Sequence, residues 1–308
     1  MASTVLAGDI VKATPSYLLV CLLLACTGDP KGGGPATGEG EGEGEATLDP
    51  VCPRAVSADE VGVADANHDA TVDVADAVWT LRYLTAGGAA PACLDAQDLL
   101  RDDLVDQSDG LAILYYLFTG QVELPSSTRM DCSAPTAIAD APCGRLAMGL
   151  DGESTVSAAA GSSASFQVAV TLSSPDLAVD AWSFGVRAEG CTITGANDSG
   201  AAIADLRLDS EGHRDDGFAR SDVVAGGLTH GALLSWLHDT TLSARDEPWR
   251  LLNLELSASA PDSGCQTCAL SLTGDLEGAG IPVALAVSAG GRSYTPSSSG
   301  LSVQICAI

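Results

Sequence analysis

The stretch "DANHDATVDVADAVWTLRYL", Asp65 to Leu84, decides how the first half of the chain is read. Its opening twelve residues carry oxygen-bearing side chains at the first, third, fifth, ninth and twelfth places: Asp65, Asn67, Asp69, Asp73 and Asp76. Carboxylates crowded into one turn repel each other. The turn is therefore either a solvated acidic loop or a loop built around a cation. After it, Val78, Leu81 and Leu84 recur at helical spacing and predict a helix over "VADAVWTLRYL".

The pattern repeats. Asp98 lies 33 residues after Asp65, and the same shift lays "DLLRDDLVDQSD", Asp98 to Asp109, onto the first loop. Asp69 then matches Asp102, Asp73 matches Asp106, Asp76 matches Asp109 and Val72 matches Val105. The match runs on through Leu81, Tyr83 and Leu84 with Leu114, Tyr116 and Leu117, so the repeat is a loop plus a helix. Calcium takes roughly six to eight oxygens, and a loop wound round it presents alternate residues inward. Places one, three and five give side-chain oxygens, place seven a carbonyl (Thr71 or Leu104), and place nine a direct or water-borne contact. Place twelve, at the start of the helix, closes the sphere. His68, between two ligand places, is expected to face water.

Asp at place twelve, together with two loop–helix repeats over about Val61 to Gly120, resembles the type I dockerin domain, in which each repeat is an EF-hand lacking its entering helix. The resemblance implies a small all-α, calcium-binding EF-hand pair. Its ligands would be Asp65, Asn67, Asp69, Thr71, Asp73 and Asp76 in the first loop, and Asp98, Asp102, Leu104, Asp106 and Asp109 in the second. The sequence departs from the family pattern in several places. Ala70 and Asp103 stand where place six expects glycine, and Leu100 brings no side-chain oxygen to place three of the second loop. Family docking leans on Ser/Thr pairs at places ten and eleven with nearby basic residues. Here those places hold Val74-Ala75 and Gln107-Ser108, and Arg82 is the one basic residue in either helix. A calcium-stapled structural module is thus favoured over docking to a conventional cohesin.

The chain has 308 residues, 14 Lys+Arg against 41 Asp+Glu, and a net charge of -27. That balance argues against nucleic acid and anionic lipid head groups, both of which would repel it. At the N-terminus, the apolar run "YLLVCLLLAC", Tyr17 to Cys26, has signal-peptide length and ends in Leu23-Leu24-Ala25-Cys26, which resembles the lipobox of bacterial lipoproteins. That likeness implies removal of residues 1–25, lipidation of Cys26 and contact with a membrane through the lipid anchor only. The mature chain would be an exported lipoprotein of the cell envelope, on the outer surface or facing the periplasm; an ordinary signal would instead leave it secreted. "KGGGPATGEGEGEGEATLDP", Lys31 to Pro50, has little to bury and reads as a flexible acidic tether over 26–51.

Of ten cysteines, eight follow Cys26. An even number in an exported chain predicts disulfides. Position suggests that Cys52, Cys93, Cys132 and Cys143 pair within residues 52–145, and Cys191, Cys265, Cys268 and Cys306 within 146–308. "CQTC" at Cys265 to Cys268 has no second pair to complete a zinc site, so it reads as structural.

From about Leu146, short apolar or alternating runs separated by Gly, Ser, Asp and Pro predict an antiparallel β-sandwich over 146–308. They are "ASFQVAVTL", "AWSFGVRA", "ALLSWLHD", "WRLLNLELSAS", "CALSLTG", "IPVALAVSAGG" and "LSVQIC". Their order weakly resembles cohesin-like and carbohydrate-binding sandwiches, and fold alone does not give function. "DSG" at Asp198 to Gly200 and at Asp262 to Gly264 reads as turns, and the four histidines share no ligand spacing. Trp182, Trp236 and Trp249 could stack on sugars or fill the core. The whole reads as a multidomain, non-enzymatic calcium-binding surface protein with structural or protein-docking roles and a cohesin-like protein or a surface glycan as partner. The alternative is a glycan-binding protein, or a component of a polysaccharide-degrading assembly, acting through the sandwich.

Overall fold

Each helix starts where an aspartate stops the loop before it. In helix α1 (Val74–Thr85), Asp73 accepts the Ala75 N–H at 2.8 Å while Asp76 accepts the Asp73 N–H at 2.8 Å. Helix α2 (Gln107–Thr119) repeats this with Asp106 and Asp109, and ends on Gly120 in the left-handed conformation. These reciprocal caps satisfy N–H groups that a helix start leaves unpaired. The helices pack together closely enough that a Cβ at Gly110 would lie 2.6 Å from the Leu81 side chain.

The computed structural model describes residues 48–55, 62–125, 141–206, 217–237, 240–278 and 281–308. The signal segment 1–25, Cys26, most of the tether and Cys132 lie outside them. Strands β1 (Pro50–Val51) and β2 (Gly144–Arg145) pair as a short ribbon. The remaining strands in chain order are β3 (Ala147–Gly152), β4 (Thr155–Ala158), β5 (Ser163–Ser174), β6 (Ala181–Glu189) and β7 (Thr192–Asn197). The short helix α3 (Ala202–Leu206) precedes β8 (Phe218–Val224), β9 (Gly227–Leu233), β10 (Arg245–Ser259) and β11 (Cys265–Thr273). The chain closes with β12 (Ala286–Ala289), β13 (Arg292–Tyr294), β14 (Ser297–Ser298) and β15 (Leu301–Ala307).

Two sheets result. One runs β14-β3-β5-β10-β7; in the other, β12 (continued by β13) and β11 (continued by β15 and β4) pair along one edge of β6, with β9 on its opposite edge and β8 beyond β9. Pairing is antiparallel except at β14–β3 and β15–β4. Trp182, Phe184, Val186, Val170, Leu172, Leu254 and Leu256 fill the space between the sheets. Period-two alternation sends the intervening residues of β6 and β9 the other way. There Ala181 and Leu233 join a second core with Val74, Val78, Leu81, Ile113, Leu114, Leu117 and Phe118 of the helices. The first six residues of β6 and all of β9 are buried, because the larger sheet is covered on both faces here.

This overturns the expected fold class. No separate all-α EF-hand pair precedes a sandwich. The described chain is mainly strand with three short helices, and α1 and α2 lie on the sandwich. The helices' apolar faces, too small to form a core between themselves, complete one against the sheet. Residues Thr47–Ile308 make one compact unit. The disulfides keep to the expected halves: Cys52–Cys143, Cys191–Cys268 and Cys265–Cys306, with Cys93 also disulfide-bonded. Cys265 and Cys306 face each other across the β11–β15 pair.

Candidate functional site

Both acidic loops are wound the same way, held by backbone N–H groups donating to carboxylates. In the first, Asp65 accepts from Asp69 and Ala70, each at 3.0 Å, and Asp69 accepts from Thr71 at 3.0 Å. Asp76 reaches back to the N–H groups of Ala66 at 2.7 Å and Asn67 at 3.2 Å. In the second, Asp98 accepts from Asp102 and Asp103, Asp102 from Leu104, and Asp109 from Leu99 and Leu100. Every one of these bonds repeats at the 33-residue shift seen in the sequence. Places four and six take positive φ in both loops: His68 and Ala70, Arg101 and Asp103.

The surroundings differ. Asp65, Asn67, Asp69, Asp73 and Asp76 are all less than a tenth exposed. In the second loop Asp102, Asp103 and Asp106 are exposed, and so are Leu100 and Leu104. His68 is buried, against the expectation that it faces water; the loop lies against the sandwich and leaves it little solvent.

Burying four carboxylates together is unfavourable, and the loop bears the marks. Desolvation, with the neighbouring Asp73 charge, pushes the Asp69 carboxyl up to about 6. Desolvation raises Asp65, and it raises Asp76 well above the usual carboxylate range with help from Asp73. Arg54 Nη1 donates to Asp73 Oδ2 at 2.7 Å and supplies one positive charge. Asp69 Oδ2 is buried with no hydrogen-bond partner. A hard cation fits this donor set, since it would satisfy that oxygen and offset the repulsion. Among the described residues no three His, Cys, Asp or Glu side chains already converge as a metal cage, the loop carboxylates being engaged by backbone N–H groups.

Sequence reasoning missed Arg54, just before the loop, and Gly291 and Ser293, which meet it from the far end of the chain. Asn67 Nδ2 donates to the Gly291 carbonyl at 3.3 Å, and the Ser293 hydroxyl to Asp73 Oδ2 at 2.6 Å. Arg54 had one signal, a rare cation in an acidic chain; the other two had none. Nearby, the buried Asp180 joins α1 to the sandwich, accepting from Arg82 at 3.1 Å and from the Gly290 N–H at 2.8 Å.

The tryptophans offer sugars little. Trp182 lies wholly in the sandwich core, Trp236 packs against the helix core, and the Arg245 guanidinium sits 3.3 Å over the Trp249 ring. Both "DSG" segments are turns, with Gly200 and Gly264 at positive φ.

No family model and no curated protein matches this chain. Solved structures do resemble it over about half its length. A cohesin module from a Clostridium perfringens family 33 glycoside hydrolase is 14% identical, covering 54% of this chain and 99% of that one at a TM-score of 0.36. A type II cohesin domain from the cellulosome of Acetivibrio cellulolyticus is 11% identical, with coverages of 53% and 95% and a TM-score of 0.34. A cohesin of R. flavefaciens, solved in complex with a group 1 dockerin, is 15% identical, with coverages of 53% and 95% and a TM-score of 0.33. The weaker of the two sequence resemblances, to a cohesin-like sandwich, is the one these structures match. What this chain is similar to is the cohesin module, at a level that assigns it neither partner nor activity.

Proposed function

We propose that this is an exported, lipid-anchored, non-catalytic surface protein whose first loop holds one calcium ion and thereby fixes the helix pair to the sandwich. The observation that carries this reading is the buried first loop: five oxygen-bearing side chains packed together, with Asp69 Oδ2 left without a partner. Asp65, Asn67, Asp69, the Thr71 carbonyl, Asp73 and Asp76 would hold the ion. Bound there, calcium supplies positive charge that offsets the carboxylate repulsion opposing compaction. The second loop, with Asp98, Asp102, Leu104, Asp106 and Asp109, would bind more weakly, since Leu100 gives no side-chain oxygen and Asp102 and Asp106 are exposed to water that competes with the ion.

Export is supported by the apolar run ending at Cys26 and by disulfides, which persist in oxidising compartments. The helix pair's apolar partner is this chain's own sandwich, which favours a structural role for the pair over capture of a separate cohesin. The test is calorimetric calcium titration of the EDTA-treated full chain, with Asp65→Ala and Asp98→Ala alongside. One strong site lost in Asp65→Ala and kept in Asp98→Ala is expected. Absence of heat, with no change in melting temperature at millimolar calcium, would overturn the metal reading.

A further inference from the structure

Three segments, one of them 220 residues away, meet at Asp73. Its Oδ1 caps α1, while its Oδ2 takes Arg54 Nη1 and the Ser293 hydroxyl. Ser293 lies buried in β13, and its carbonyl accepts the Arg54 N–H at 2.8 Å. Arg292 Nη2 closes the arrangement by donating to the Arg54 carbonyl at 3.0 Å. Two residues before Ser293, the Gly291 carbonyl holds Asn67 Nδ2, so the sandwich fixes which way that amide turns. Its Oδ1 then lies in the loop, accepting the Asp69 N–H at 3.1 Å. Place three of the loop thus has one end in the ion-binding turn and the other on the β12–β13 hairpin, while place nine joins the start of α1 to the same hairpin. In the second loop, Asp106 is exposed and takes its hydrogen bonds from Ser108.

We infer that the first loop is a calcium-dependent latch, in which Asn67 and Asp73 carry the state of the ion site to the β12–β13 hairpin through Gly291 and Ser293. The inference rests on the calcium reading above, to which the partnerless Asp69 Oδ2 points independently. Coupling of this kind is reciprocal: if the ion orders the hairpin, the hairpin contacts tighten the ion. A calcium loop that folded by itself would show neither effect.

The experiment is hydrogen exchange of the full chain with calcium and with EDTA, reading the amides of residues 286–294, together with calorimetry of Ser293→Ala and Ser293→Thr. Calcium is expected to slow hairpin exchange by roughly tenfold or more, and Ser293→Ala to keep one ion per chain while binding it roughly fivefold or more weakly. Ser293→Thr, which keeps the hydroxyl, is expected to restore the affinity. Calcium binding without any change in hairpin exchange overturns the latch and leaves the calcium loop standing. No calcium binding at all overturns both. If Ser293→Ala does not fold, the exchange comparison on the unaltered chain decides alone.

Discussion

Ala70 has φ of 64° and Asp103 of 66°, both left-handed where the loop has no glycine to relieve the strain. A Cβ in that region costs about 1–2 kcal/mol, partly offset by the greater freedom glycine has in the unfolded chain. Ala70→Gly is therefore expected to stabilise the protein by about 0.5–1 kcal/mol, read as a raised melting temperature in EDTA. A lowered one would mean that the Ala70 backbone is not left-handed in solution. At this scale the spacing of oxygens was legible, because a loop of fixed length repeats its ligand places wherever it occurs. The partners that bury those oxygens were not. Ser293 is 220 residues from Asp73, and no local rule ties a strand serine to a distant helix cap.

Helices α1 and α2 stood out in the sequence because their apolar spacing is a local feature, and α1 ends one residue beyond its expected run. The sandwich strands with a clear apolar face, β5, β6, β10, β11 and β15, were equally visible. β8, half-exposed with alternating polar residues, and β4, a short edge strand, carry too little apolar signal to be picked out alone. "ALLSWLHD" was displaced: the strand is β9, "GLTHGAL", which begins five residues earlier. Its glycines are unusual in a strand interior, and packing explains one of them. A Cβ at Gly231 would lie 2.0 Å from the Phe118 ring of α2. Gly231→Ala is expected to destabilise by about 1–3 kcal/mol through overpacking, although alanine suits a strand better than glycine does. An unchanged or raised denaturation midpoint would mean that α2 does not rest on β9.

The second core is shared between helices and sheet, so the two parts should lose structure together. Trp79 reports on α1 and Trp182 on the sandwich interior, and both are buried. Chemical denaturation followed by tryptophan fluorescence and by far-UV circular dichroism is expected to give one coincident transition. Leu81→Ala should lower it in both signals at a cost of about 2–5 kcal/mol. Two separated transitions would instead assign residues 52–145 and 146–308 to independent domains.

By itself the sequence determined the loop–helix repeat, the strand-rich second half and the grouping of the cysteines, all of which follow from short-range spacing and composition. Only the tertiary structure decided that the repeat is no free-standing helical domain, that one loop is buried and the other is left to solvent, and that Trp182 belongs to the core. The physical reason is the same in each case. Two short amphipathic helices cannot exclude water from both their faces and the loops they cap. The sheet of small residues that covers them is assembled from β6, β9 and their neighbours, which lie far along the chain from both helices.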